Sequence, residues 1–261
     1  MTKGKIKISR TGDKIRALLI FVGLVAGFMI STSYLNLDIT KFISRLPNVG
    51  KILKQLIAID FQDIVAILRG MFSSIAIALV ALCMGFIISI LLSFLAASNI
   101  APNRIIATFI KACVAIIRAV PALVWILMVV ASIGFGNTSG MVGMIFPTMG
   151  YLTKSFIASI EEMGNNTIEA MRATGMNWLS IVTRGLLPSL IHPFSAWSAI
   201  RLEGNIAESI SFGMVGVAGI GNQLMRAIGK YNYAAITTII LVIFITMFII
   251  ENLVNKFKKT L

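Results

Sequence analysis

Six apolar stretches, each long enough to cross a bilayer, constrain this chain more than any other feature. They fall at residues 15–35, 70–97, 105–133, 141–160, 185–211 and 234–254, against the roughly 17–25 residues a transmembrane helix needs. Hydrocarbon offers no water to an unpaired backbone group, so such segments must bond internally as helices. The period-2 alternation of a membrane barrel is not sustained anywhere. The expected fold is therefore an all-α integral membrane protein of about six transmembrane helices. Composition agrees: 57% of the 261 residues are hydrophobic and only 13% are charged, too little polar material to cover a water-soluble globule of this size.

A net charge of +13 could suggest nucleic acid, but its placement does not. Lys3, Lys5, Lys7, Arg10, Lys14 and Arg16 crowd one end, and Lys256, Lys258 and Lys259 the other. Basic residues flanking apolar runs follow the positive-inside rule, whereas basic and aromatic residues interleaved on one solvated face would mark a nucleic-acid reader. Lipid is the partner expected from composition; nucleic acid is not.

With both tails (1–14 and 257–261) cytoplasmic, the number of spans must be even, and six satisfies this. The sequence then divides into a first span at 15–35, an external segment at 36–69 and the remaining five spans within 70–256. Loops 98–104 and 161–184 lie inside and 134–140 outside, with 204–233 external or re-entrant. Residues 18–34 lack a small-x-small cleavage site followed by a polar mature sequence, so this run reads as a retained span. In 36–69, spacing at Ile52, Leu56 and Ile59 predicts a short surface helix. Cys83 and Cys113 both fall inside spans and read as small buried apolar residues. Gly23 and Gly27 form a small-xxx-small packing pair, and Pro121 and Pro147 should kink or end their helices.

The segment 161–188, EEMGNNTIEAMRATGMNWLSIVTRGLLP, reads as a folded knob. Asn166 and Glu169 have capping-box spacing. Gly175 supplies a left-handed terminus or a close backbone approach. Asn177 can cap a second helix in which Trp178, Ile181 and Val182 share a face, and Pro188 sits near the next span. Glu169, Ala170, Gly175, Leu187 and Pro188 match E-A-A-x3-G-x9-I-x-L-P, with Met171 in place of the second alanine and Gly185 in place of the isoleucine.

On this motif the chain resembles the permease subunits of binding-protein-dependent ABC importers. IRAVPALVWILM at 117–128, IEAMRATG at 168–175 and RLEGNIAESISFGMVGVAGIGNQL at 201–224 extend the resemblance. Residues 70–256 look like a type I transmembrane domain, most similar to phosphonate-transport permeases. The resemblance implies that 161–188 is a cytoplasmic coupling helix. It would dock through Glu169, Ala170, Arg172 and Gly175 into a groove on an ATPase subunit, with Leu187 and Pro188 at its base. It also implies two ATPase subunits carrying ATP and Mg, a second permease that is either a copy or a paralogue, and an external solute-binding protein. The site would be a bacterial plasma (inner) membrane and the cargo a small anion, phosphonate or else phosphite or phosphate. A different small solute, or a secondary transporter, is the alternative reading.

Charges inside spans are costly and are usually paired or functional. Arg118, Arg201, Glu203 and Glu208 therefore lock helices together as ion pairs, line a translocation path, or snorkel to a membrane interface. Arg201 and Glu208, seven residues apart, share a helix face. Gly213, Gly216, Gly219 and Gly221 match neither a P-loop nor a dinucleotide fingerprint. They suggest a re-entrant or broken helix, a candidate external gate or simply close packing. A lone histidine, His192, without a Cys, Asp or Glu cluster makes no metal site. With no nucleophile, base or ligand constellation in view, catalytic residues, a metal and a cofactor belonging to this chain are all unexpected.

Overall fold

The computed structural model describes residues 11–36 and 38–260; the basic residues Lys3, Lys5, Lys7 and Arg10 lie outside them. Every regular element among the described residues is helical. The chain divides into two units, residues 1–54 and 55–261.

The first unit contains α1 (Thr11–Tyr34) and α2 (Ile39–Gln55). Residues 12–31 of α1 are exposed all round, an arrangement that suits a helix solvated by lipid rather than water. Gly23 and Gly27 accordingly have nothing near them. Asp38 starts α2, accepting from the Lys41 amide at 2.9 Å and pairing with Lys41 Nζ at 3.0 Å. The Lys41 amide, then its ammonium, hold the Asp38 carboxyl below its ordinary range. The surface helix anticipated in this region is α2, but it ends at Gln55. Leu56 and Ile59 therefore lie beyond it, in a connection belonging to the second unit. There Thr237 Oγ1 donates to the Leu56 carbonyl at 2.7 Å and Thr238 Oγ1 accepts from the Asp60 amide at 3.0 Å. Backbone groups tied to another helix cannot continue their own.

In the second unit, α3 (Ile64–Ala96) is followed by α4 (Arg104–Ala119) and α5 (Ala122–Ile133), then α6 (Asn137–Glu162). The expected span 105–133 is thus two helices, bent by 88° at the break. Pro121 stands at that break and cannot donate to the carbonyl four residues back. Pro147, in contrast, is carried inside α6. Next come α7 (Asn165–Ala173), the short α8 (Trp178–Ser180), a π-helical stretch Ile181–Leu186, and α9 (Leu187–Gly213). The wide π turn lies immediately before Pro188 and gives its ring room against the preceding turn. α10 (Ile220–Gly229) and α11 (Tyr233–Thr260) complete the fold.

Three described helices, α1, α3 and α11, are long and apolar enough to span a membrane, or four elements if the bent α4–α5 pair counts as one. Helices α6 and α9, with 26 and 27 residues, have the length but are more polar. Their polar side chains turn inward: Ser139, Thr148, Thr153 and Ser159 on α6, and Arg201, Asn205 and Ser209 on α9, are buried. Hydropathy and length thus single out fewer spans than the six expected. Cys83 is also not a core residue, since it is exposed, and Cys113 is only half-buried; both sit on helix sides that the bundle leaves open.

Two apolar cores result. One joins α3, α5, α6, α9, α10 and α11 around Ile77, Ile126, Met144, Ile206 and Ile220. The other centres on Phe156, stacked on Phe194 at 4.0 Å and edge-on to Phe86 at 5.7 Å, and runs through Leu152 and Leu190 to Ile168, Ile181 and Leu186. Packing therefore continues from the long helices into the segment between α6 and α9.

Candidate functional site

That segment is a compact knob. Gly164 caps α7 with φ +75°, and no side-chain cap bond is made there. The expected capping box is therefore absent: α7 begins at Asn165, Asn166 is already helical, and Glu169 lies too deep in the helix to reach back to its start. Gly175 ends the turn after α7 with φ +82° and no heavy atom near its Cβ position, so its left-handed conformation, not close approach, is what requires glycine. Asn177 caps the next helix as its spacing predicts, accepting from the Ser180 amide at 2.9 Å.

The knob has an inner and an outer side. Ile168, Ile181, Val182 and Leu186 are buried in the second core. Trp178 Nε1 donates to the Ile100 carbonyl at 2.9 Å, fastening the knob to the turn between α3 and α4. Glu169, Ala170, Arg172 and Gly175 form an exposed outer rim, while Leu187 is half-buried and Pro188 exposed at its base. The two motif departures are spatial neighbours: a Cβ at position 185 would fall on the Met171 sulfur. A large residue at 171 is thus matched by the absence of a side chain at 185.

Of the four charges singled out within the spans, two meet. Arg201 is 9% exposed, and its Nη1 and Nη2 donate to the two Glu208 carboxylate oxygens at 3.0 and 2.8 Å. The guanidinium carbon also lies 5.6 Å from the Tyr151 ring centroid, a cation–π separation. Glu203 is half-buried on the same helix, apart from this pair, and Arg118 is exposed on α4. Near the α6 end, Lys111 Nζ meets Glu161 at 2.9 Å, and the Ser98 amide donates to the same carboxylate at 2.8 Å. Burial pushes the Glu161 carboxyl up, but the Ser98 amide and Lys111 outweigh it and leave it below its ordinary range.

Sequence reasoning missed the Lys111–Glu161 bridge, which lies outside the charge set it followed. It also missed a neutral polar centre. Thr148 Oγ1 donates to Asn205 Oδ1 at 2.9 Å, and Asn205 Nδ2 to the Ala78 carbonyl at 3.3 Å, joining α6, α9 and α3. A fully buried Asn205 carries no charge to draw notice; its only sequence signal is an amide in an otherwise membrane-length helix.

The glycine run breaks the chain between α9 and α10. Gly213 and Gly221 let the two backbones cross: a Cβ on Gly213 would stand 2.7 Å from Gly221 Cα, and one on Gly221 would strike the Ile210 carbonyl. Gly216 and Gly219 make the turn between them with φ +94° and +152°. Ser74 Oγ on α3 accepts from the Ile220 amide at 3.2 Å, so the start of α10 is tied to α3.

Comparison with known proteins places this geometry. Residues 89–259 match the family described as binding-protein-dependent transport system inner membrane component. The phosphite transport system permease protein PtxC of Stutzerimonas stutzeri is 26% identical over 85% of this chain and 81% of its own length. The phosphate-import permease protein PhnE of Mycolicibacterium smegmatis is 28% identical over 82% of this chain and 40% of its own. Among solved structures, a chain of the methionine ABC transporter MetNI in an inward-facing conformation aligns with a TM-score of 0.68 and 23% identity, over 77% of this chain and 99% of that one. The helical bundle, the knob joining α6 to α9 and the match over residues 89–259 lead to one conclusion: the chain belongs to the binding-protein-dependent transport system inner membrane components, the permeases of ABC importers.

Proposed function

We propose that this permease carries a phosphorus oxyanion, of the phosphonate, phosphite or phosphate class, and that the knob between α6 and α9 receives the motion that drives it. The observation that carries the reading is the two-sided knob: an exposed rim of Glu169, Ala170, Arg172 and Gly175, backed by Ile168 and Ile181 within the core of Phe156 and Phe194. A displacement of the rim is handed to α6 and α9 by packed side chains. The relatives named for phosphite and phosphate transport support the cargo class.

In this reading a separate ATPase subunit, in two copies, seats the rim in a groove, and ATP and Mg belong to it; this chain itself is not an ATPase. A second permease completes the pathway, and an external solute-binding protein delivers the anion. The basic tails face the cytoplasm of a bacterial cell, α6 and α9 complete six spans, and α2 lies on the external surface. Arg201, bridged to Glu208 on its own helix and set over the Tyr151 ring, holds α9 against α6, and the turn from Gly213 to Gly221 forms part of the external gate.

Glu169→Lys should abolish the stimulation of ATP hydrolysis by the loaded solute-binding protein in the reconstituted complex, with membrane insertion unchanged. Wild-type stimulation in that variant would refute the role of the knob. Uptake assays with phosphite, methylphosphonate and phosphate test the cargo, and transport of none of them by the wild-type complex would refute that half of the reading.

A further inference from the structure

The side shared by α4 and α6 carries charges that the knob does not use. Lys111 and Arg118 stand seven residues apart on α4, as do Lys154 and Glu161 on α6, so each pair shares one side of its helix. Together they line one cleft of ≈ 340 Å³ with Val114 and Ile157 among its apolar walls. At one end Glu161 is satisfied by Lys111 and the Ser98 amide, and Lys111 Nζ also donates to Ser98 Oγ at 2.6 Å.

Arg118 and Lys154 have no such partner: among the described residues no carboxylate pairs with either. Gly150 fixes where Arg118 lies, since a Cβ there would stand 2.9 Å from Arg118 Cγ, so its stem rests directly on α6 within reach of the Lys154 side. Three cations against one carboxylate leave the cleft with two uncompensated positive charges. Elsewhere the described ion pairs are neutral couples. Arg118 and Lys154 are both exposed, and unpaired cations on helices within or bordering a membrane are costly and mark a place where an anion completes the balance. Guanidinium and ammonium donors together suit a tetrahedral oxyanion, to which both make short charge-assisted hydrogen bonds.

We infer that the α4–α6 cleft is a binding site for a phosphorus oxyanion, held by Arg118 and Lys154 and closed at one end by the Lys111–Glu161 bridge. The inference rests on the reading of the cargo given above, and a lipid headgroup phosphate offers the same chemistry from a second source.

The test uses the full chain with its ATPase subunit in nanodiscs of phosphatidylcholine, with equilibrium dialysis of radiolabelled orthophosphate and with phosphite and methylphosphonate as competitors. Wild type should bind, and the competitors should displace the label. Arg118→Gln and Lys154→Gln should each weaken binding about tenfold, whereas Arg118→Lys and Lys154→Arg should retain it in equally monodisperse preparations. In the second arm, nanodiscs contain phosphatidylglycerol and retained lipid is read by native mass spectrometry. Lipid held by wild type and lost in the glutamine variants, without orthophosphate binding, assigns the site to a headgroup. The site is refuted if wild type binds neither, or if the glutamine variants bind as wild type does. Failure of the wild-type complex to transport any of the three anions bears instead on the cargo reading, because the headgroup arm does not depend on transport.

Discussion

Met171 and Gly185 show how two departures from one motif make a single structural fact. A Cβ at 185 would occupy the place of the Met171 sulfur, so Gly185→Ile alone should overpack the knob, and Met171→Ala alone should leave a void costing about 2 kcal/mol or more. The double variant should recover much of both losses, with a coupling of about 0.5–3 kcal/mol in thermal melts of the purified permease; strict additivity would show that the residues do not share the space. Each departure was visible in the sequence, but their contact was not, because residues 14 apart meet only once α7 folds back on the π turn. The misplaced cap has a similar cause. Asn166 and Glu169 have the right spacing for a capping box, yet Gly164 with φ +75° starts the helix two residues earlier.

At the level of elements, a fastening and a charge bridge make separate predictions. Trp178→Phe keeps the apolar face but removes the indole donor to the Ile100 carbonyl, a bond worth about 1 kcal/mol. The variant should fold, hydrolyse ATP in the complex, and move less solute per ATP than wild type; an unchanged ratio would show that the bond is not needed for transmission. Glu161 has its carboxyl held below the ordinary range, so its contribution to stability is present above the unfolded-state pKa and lost as pH falls through the folded value. Melting temperatures of wild type and Glu161→Gln should therefore differ at neutral pH and converge in acid; a gap that persists at low pH would count against the bridge. Helix identity in this region was legible from apolar length and from Pro121. The bridge was not, since it needs the antiparallel contact of α4 with α6, which no local pattern encodes.

For the whole molecule, the all-helical class and the importer family were readable from apolar runs and one loop motif, whereas the number of spans was not settled by hydropathy. Helices α6 and α9 explain why: they bury Thr148, Asn205 and Arg201 against one another, so their polar residues lower the very score by which a span is recognised. The π turn at Ile181–Leu186 has a consequence for the molecule as a machine. From Trp178 to Gly213 the chain winds as one shaft, and only at that turn does it hold residues wound wider than an α-helix. Slack in the winding of such a shaft can be taken up at that turn by whole residues, each worth about 100° of rotation and about 1.5 Å of travel, while Pro193 further along α9 offers a second place to bend. A drive applied at the Trp178 end thus meets a linkage that answers in clicks rather than by continuous slip.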